Sequence, residues 1–226
     1  GGAEEPARAR SIVYPLDGVV VPPNLRELAV HFLPGAGNSL FELTLRSAAV
    51  DVTVYLTCTP LGAGCAYVFD DAVWDAVAMP GRDGTPVTLR LRGVDGAAPG
   101  AVGISGTQTL SFTREDVLGG VYYTAQDPDP LGRASSGIMR YEFGRRGLRA
   151  EVYYSSAKGP GTTCAGCHAL SRNGARMGLS WGTDILVLDV ATRAVLWTGV
   201  GPVGMGSYFY MSFSADASQV VTSDGL

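Results

Sequence analysis

Val50-Asp51-Val52-Thr53-Val54-Tyr55-Leu56-Thr57-Cys58 sets an apolar residue at every second position, with Asp51, Thr53 and Tyr55 between them. Successive side chains of a strand point to opposite faces, so this period marks a strand with one buried face. Working outward, strand-like runs at Glu27–Leu33, Leu40–Leu45, Ala66–Phe69, Pro86–Arg92 and Ala101–Ser105 are separated by Gly, Pro, Asn or Asp. Ile12-Val13-Tyr14-Pro15 and Val19-Val20-Val21-Pro22-Pro23 read as edge segments, because proline cannot donate to a strand ladder. Asp71–Met79 is the exception. There Ala72, Val73, Ala76 and Val77 recur at helical spacing after two aspartates able to cap, and Pro80-Gly81 stops the run. One short helix among about seven strands predicts an antiparallel β-sandwich over 11–113, with 1–10 as a flexible leader.

The 226-residue chain is long enough for two modest domains. Its 31 glycines and 13 prolines, with only 17% charged residues, favour many turns and short strands over long helices. A net charge of −4 without a lysine/arginine cluster excludes a basic nucleic-acid footprint. No apolar run reaches the length that spans a bilayer. The proline-rich opening, the strand ending in Pro34-Gly35 and the aromatic strand from Leu40 together resemble a fibronectin type III or immunoglobulin-like domain. That resemblance implies a module that positions other domains, and no chemistry is assigned to it.

A second register begins near Thr113 and fills 114–226. Gly120–Thr124, Ser136–Tyr141 and Ala150–Tyr154 are strands of similar length separated by glycine turns. Ser171-Arg172-Asn173-Gly174-Ala175-Arg176-Met177 is followed by Ile185–Thr192, and Phe213–Val221 nearly copies the first of these. This serine, Asx and small-residue unit, with a strand ending in Asp and an Ala-Thr turn, is similar to the blades of Tol-type or WD-like β-propellers. The resemblance implies an all-β chain in which a sandwich precedes a partial propeller-like domain. A closed propeller takes at least about four blades, and this stretch has room for fewer than three. The expectation is therefore a fragment, or sheet edges completed by another chain, with Val121–Tyr123 and Val220–Thr222 as the strands that would self-associate.

Cys164-Ala165-Gly166-Cys167-His168 carries the most specific chemistry. C-x-x-C-H is the sequence at which two thiols add to the vinyl groups of a haem and the next imidazole reaches its iron. Here the chain resembles the c-type cytochromes, which implies one covalent haem c, thioethers at Cys164 and Cys167, and His168 as proximal ligand. Zinc, which wants four N or S ligands, and thioredoxin-like dithiol chemistry are the competing readings. Cys58 and Cys65 bracket a turn-rich Thr59–Gly64 and are expected to form a disulfide, the alternative being two small core residues. Covalent haem and a disulfide both point to export, to a bacterial periplasm or the cell exterior, with a signal peptide removed.

For the distal position the candidates are Met211, after the aromatic Tyr208-Phe209-Tyr210, then Met205 on a glycine-rich loop, then His31, the one other histidine. Arg172 and Arg176 read as surface charges or propionate partners. A peroxidase would be poorly equipped, and a Ser-His-Asp set is excluded because His168 is committed to iron. The leading expectation is an exported monohaem cytochrome that carries single electrons to an unidentified redox partner. A structural or sensory haem module and a haem enzyme with an open sixth position remain open.

Overall fold

The structure is a computed structural model that describes residues 2–8, 10–26, 28–126, 136–147, 150–155, 165–181, 184–200 and 208–224. It is all-β apart from one α-helix and two single 3-10 turns among the described residues. The chain divides into two compact units, residues 1–119 with 143–148, and residues 120–142 with 149–226.

The first unit holds β1 (Ala3–Glu4), β2 (Ser11–Tyr14), β3 (Val19–Val21), β4 (Ala29–Leu33), β5 (Leu40–Arg46), β6 (Asp51–Thr57), β7 (Thr59–Leu61), β8 (Gly64–Val68), α1 (Asp71–Ala78), β9 (Val87–Val94), β10 (Ala101–Ile104) and β11 (Gln108–Phe112). Strands β2-β4-β8-β7 form one sheet. In the other, β9 is central, with β5 and then β6 on one side and β10 and β11 on its other edge. Phe41, Leu43, Leu45, Leu89 and Leu91 from the second sheet share a core with Ile12, Val30, Phe32 and Cys65 from the first. Both edge segments read from proline sit on sheet edges: β2 pairs only with β4, and β3 pairs in parallel with β11. β6 is also an edge, and its Val52, Val54 and Leu56 stay half-buried while Asp51, Thr53 and Tyr55 face out.

The helix forms where its caps allow. Asp70 accepts from the Val73 amide at 2.8 Å, and the face made by Trp74, Val77 and Ala78 is buried. Among the described residues of 1–10, expected as a flexible leader, Ala3 and Glu4 pair with Ala101 and Val102, and the buried Arg10 donates to the carbonyls of Gly103, Gly93 and Arg8. Cys58 and Cys65 are disulfide-bonded, as their spacing suggested.

The second unit is a series of antiparallel sheets. β12 (Gly120–Gln126), β13 (Ser136–Glu142) and β14 (Glu151–Ser155) form the first. β15 (Ala165–Leu170), β16 (Arg176–Trp181), β17 (Asp184–Asp189) and β18 (Val195–Val200) form the second, and β19 (Tyr208–Phe213) with β20 (Val220–Asp224) the third. Ile138, Tyr153 and Tyr154 of the first sheet share a core with Met177, Leu179, Trp181, Leu186 and Leu188 of the second. No helix among the described residues is long and apolar enough to cross a membrane.

The disulfide closes a short loop, so its main effect is to restrict the unfolded chain. Replacing Cys58 and Cys65 by Ala is expected to cost roughly 2–3 kcal/mol by the loop-closure relation, read as a lower midpoint in urea unfolding with the slope little changed.

Candidate functional site

Residues 165–168 of the C-x-x-C-H segment lie on the first strand of a structural repeat. Ser171 and Ser214 stand 43 positions apart, as do Asn173 and Asp216, Ala175 and Ser218, and Arg176 and Gln219. Each serine amide donates to the carbonyl five residues on, Arg176 or Gln219, and each serine Oγ accepts from the amide of that residue. Each Oγ also donates to the Asx Oδ1, which accepts in turn from the amide of Ala175 or Ser218. Both turns need a residue in the left-handed region. Gly174 supplies it at φ 71°, and Ala217 adopts it at φ 59°.

The strands entering these turns share a register irregularity. Between the pairs Ala165–Trp181 and His168–Leu179, Gly166 and Cys167 oppose Ser180 alone. Between Tyr208–Asp224 and Met211–Thr222, Phe209 and Tyr210 oppose Ser223 alone. Such a bulge re-aims side chains. It is a property of the repeat, and in the first copy it falls on Cys167 and turns the strand just before His168.

The Cys167 thiol is exposed, and His168 is half-buried against β12. His168 Nε2 lies 3.2 Å from the Tyr122 carbonyl, which can only accept, so in this arrangement Nε2 carries the proton. Nδ1 then accepts from the Thr124 hydroxyl at 3.4 Å. Beneath this contact the Tyr122 ring meets Tyr153 edge-on at 4.9 Å. The Tyr153 hydroxyl donates to the Val190 carbonyl. Burial, with Tyr122 adding to it, raises the Tyr153 phenol to about 12 although Arg193 and Arg140 pull the other way. Tyr153 is therefore a fixed, neutral donor.

The other sequence candidates are dispersed. Cys164 and Met205 lie outside the described residues. Met211 is the repeat counterpart of His168, but the two are not brought together. His168 pairs with Leu179, whose side chain joins the core shared with β13 and β14. Gly178, on the other face of the same sheet, is where Met211 packs: a Cβ there would stand 2.7 Å from the Met211 sulfur. His31 belongs to β4 in the first unit, with its ring 5.4 Å from that of Tyr14. Arg172 is exposed, and Arg176 donates to the Ala217 carbonyl at 2.6 Å, tying the two repeat turns together. Tyr122 and Thr124, the partners of His168, carried no signal in the sequence.

As a donor set, an accessible thiol beside an imidazole fits haem attachment, provided that the imidazole gives up the Tyr122 carbonyl. Among the described residues, which leave out Cys164, no three His, Cys, Asp or Glu side chains converge. Comparison with protein-family models and with curated proteins finds no match for this chain.

At the Asx position the two turns differ in charge, Asn173 against Asp216. Hydrogen bonds from the Ser214 hydroxyl, and from the Ser218 amide and hydroxyl, hold the Asp216 carboxyl at about 2, below the ordinary 3.8. A depressed acid stabilises the fold above its unfolded value, and the contribution disappears as pH falls from near 4 towards 2. The Ser218 and Gln219 amide resonances are expected to shift over that window while those of Ala175 and Arg176, in the Asn173 turn, stay still. Asp216→Asn is expected to keep the turn and remove its acid response.

Proposed function

We propose that this chain is an exported c-type cytochrome that carries single electrons on one covalent haem. The observation that carries the reading is the exposed Cys167 thiol, directly before His168, in a segment spaced C-x-x-C-H. The Cys58–Cys65 disulfide supports an oxidising compartment, the periplasm or cell exterior, where such attachment takes place.

In this reading Cys164 and Cys167 hold the group and His168 is its proximal ligand. The haem supplies a reversible one-electron couple, whose potential the protein sets by axial ligation, burial and hydrogen bonding. The chain's own part begins with a proton. For Nε2 to act as a ligand the ring would have to change tautomer and stay neutral, with the Nε2 proton released to water and one taken up at Nδ1. Thr124 Oγ1 stands at that nitrogen, and a hydroxyl can accept as readily as it donates, so the same residue can hold either tautomer. The first unit is then a fibronectin- or immunoglobulin-like module. The second is part of a propeller, with β15–β18 as one blade and open edges available to other strands.

One observation favours a second reading. His168 already ties β15 to β12 through the Tyr122 carbonyl, as an assembly module without haem would require. The two separate cleanly. In the cytochrome reading, protein matured with a haem-attachment system keeps its haem on a denaturing gel, and Cys164→Ala with Cys167→Ala abolishes that signal. His168→Ala is expected to lose the low-spin spectrum, and Thr124→Val to shift the midpoint potential with the covalent haem retained. A haem-free native protein that His168→Ala merely destabilises would overturn the proposal in favour of the structural tie.

A further inference from the structure

Asn173 and Gly174 stand side by side, both exposed, on the turn between β15 and β16. In an Asn-Gly pair the backbone amide can reach the neighbouring side chain, because glycine puts no side chain in its way. The Gly174 nitrogen bonds to the Asn173 Cγ, the bond from Cγ to Nδ2 breaks, and Nδ2 leaves as ammonia with the Gly174 amide proton. A succinimide ring results. Water then opens the ring at one carbonyl to give aspartate, or at the other to give isoaspartate, with one more carbon in the backbone. Asparagine and water are thus converted to a carboxyl group and ammonia, with no change of oxidation state.

The turn holds both reacting groups. The Gly174 amide donates to the Ser171 carbonyl at 2.8 Å, so the attacking nitrogen is engaged elsewhere. Asn173 Oδ1 accepts from the Ser171 hydroxyl at 2.8 Å and from the Ala175 amide at 3.1 Å, which fixes the group to be attacked. The next copy shows the product already built in. Asp216 occupies the Asn173 position, accepting from the Ser214 hydroxyl and the Ser218 amide, and the Ala217 amide donates to the Ser214 carbonyl at 2.9 Å. Isoaspartate has no counterpart there, since it would lengthen the chain inside the turn.

We infer that Asn173 is a deamidation site, restrained by its own turn, with aspartate as the product that the turn accommodates. The modification would make the two copies alike in charge at the Asx position. The inference rests on the repeat and not on haem.

The test follows the mass of the peptide that holds Asn173 and Gly174 while the full chain is kept at mildly alkaline pH. Conversion in the native chain is expected to be about tenfold or more slower than in urea, because ring closure waits on local opening of the turn. Ser171→Ala removes the hydroxyl that binds Oδ1 and is expected to narrow that gap. Should it lose native circular dichroism, Gly174→Ala is the second variant. Ala217 holds the matching position at φ 59°, and a Cβ at 174 meets open space, so this chain is expected to fold and to convert more slowly in urea. Asn173→Asp is expected to keep the native spectrum, with the Ala175 and Arg176 amides now responding to acid as those of Ser218 and Gln219 do. Equal rates in buffer and urea, no conversion in either, conversion in urea undiminished by Gly174→Ala, or an Asn173→Asp chain that does not fold would each overturn the inference. Haem staining reads independently of every one of these outcomes.

Discussion

A single sheet cannot bury an apolar face alone, and the second unit is organised by that constraint. The β15–β18 sheet is covered on both sides. Leu179 and Met177 point into a core with Tyr153 and Ile138, while Gly178 receives Met211 and Phe213 from the next sheet. A Cβ at 178 would stand 2.7 Å from the Met211 sulfur, so a larger residue there would require that side chain to move. Placement of His168 follows from the same stacking. The strand that carries it is pressed towards β12, and a polar ring caught there must find polar partners. The Tyr122 carbonyl and Thr124 hydroxyl meet that need.

The bulge before His168 has a similar origin. Because the next copy repeats it at Phe209 and Tyr210, where there is no cysteine or histidine, the irregularity belongs to the scaffold. The proposed attachment chemistry thus uses a strand already distorted for architectural reasons. On a regular strand Cys167 and His168 would point to opposite faces, and a bulge is the device that relaxes that alternation.

Much of the fold was legible from local pattern. Alternation at Val50–Leu56, the capped run at Asp71, the prolines at sheet edges and the turn between Cys58 and Cys65 each encode their structure within a few residues. The parallel pairing of β3 with β11 was not legible, since it joins Val19–Val21 to Leu110–Phe112 across the length of the unit. The structured start of the chain was missed for a related reason: its polar, alanine-rich composition gives no hint of a strand or of carbonyls awaiting Arg10. At the site, residue types announced the chemistry but not the company. That Met211 faces away from His168 depends on which sheet face each strand presents to its neighbour, and sequence spacing of 43 makes the two equivalent without making them adjacent.

Arg10 gives the first unit an unusual boundary. Its guanidinium is buried over the Phe41 ring and bonded, among the described residues, to carbonyls and to no carboxylate, and burial followed by the charge of Arg8 lowers its basicity. A cation so placed joins the N-terminal segment to β9 and β10 as a pin joins two leaves. Excising the sandwich at Ser11, where the alternating strands begin, would remove the pin and β1 together, leaving the β10 edge bare. The natural limit of this unit for grafting or separate expression therefore falls ahead of Ala3, inside what composition alone marks as dispensable.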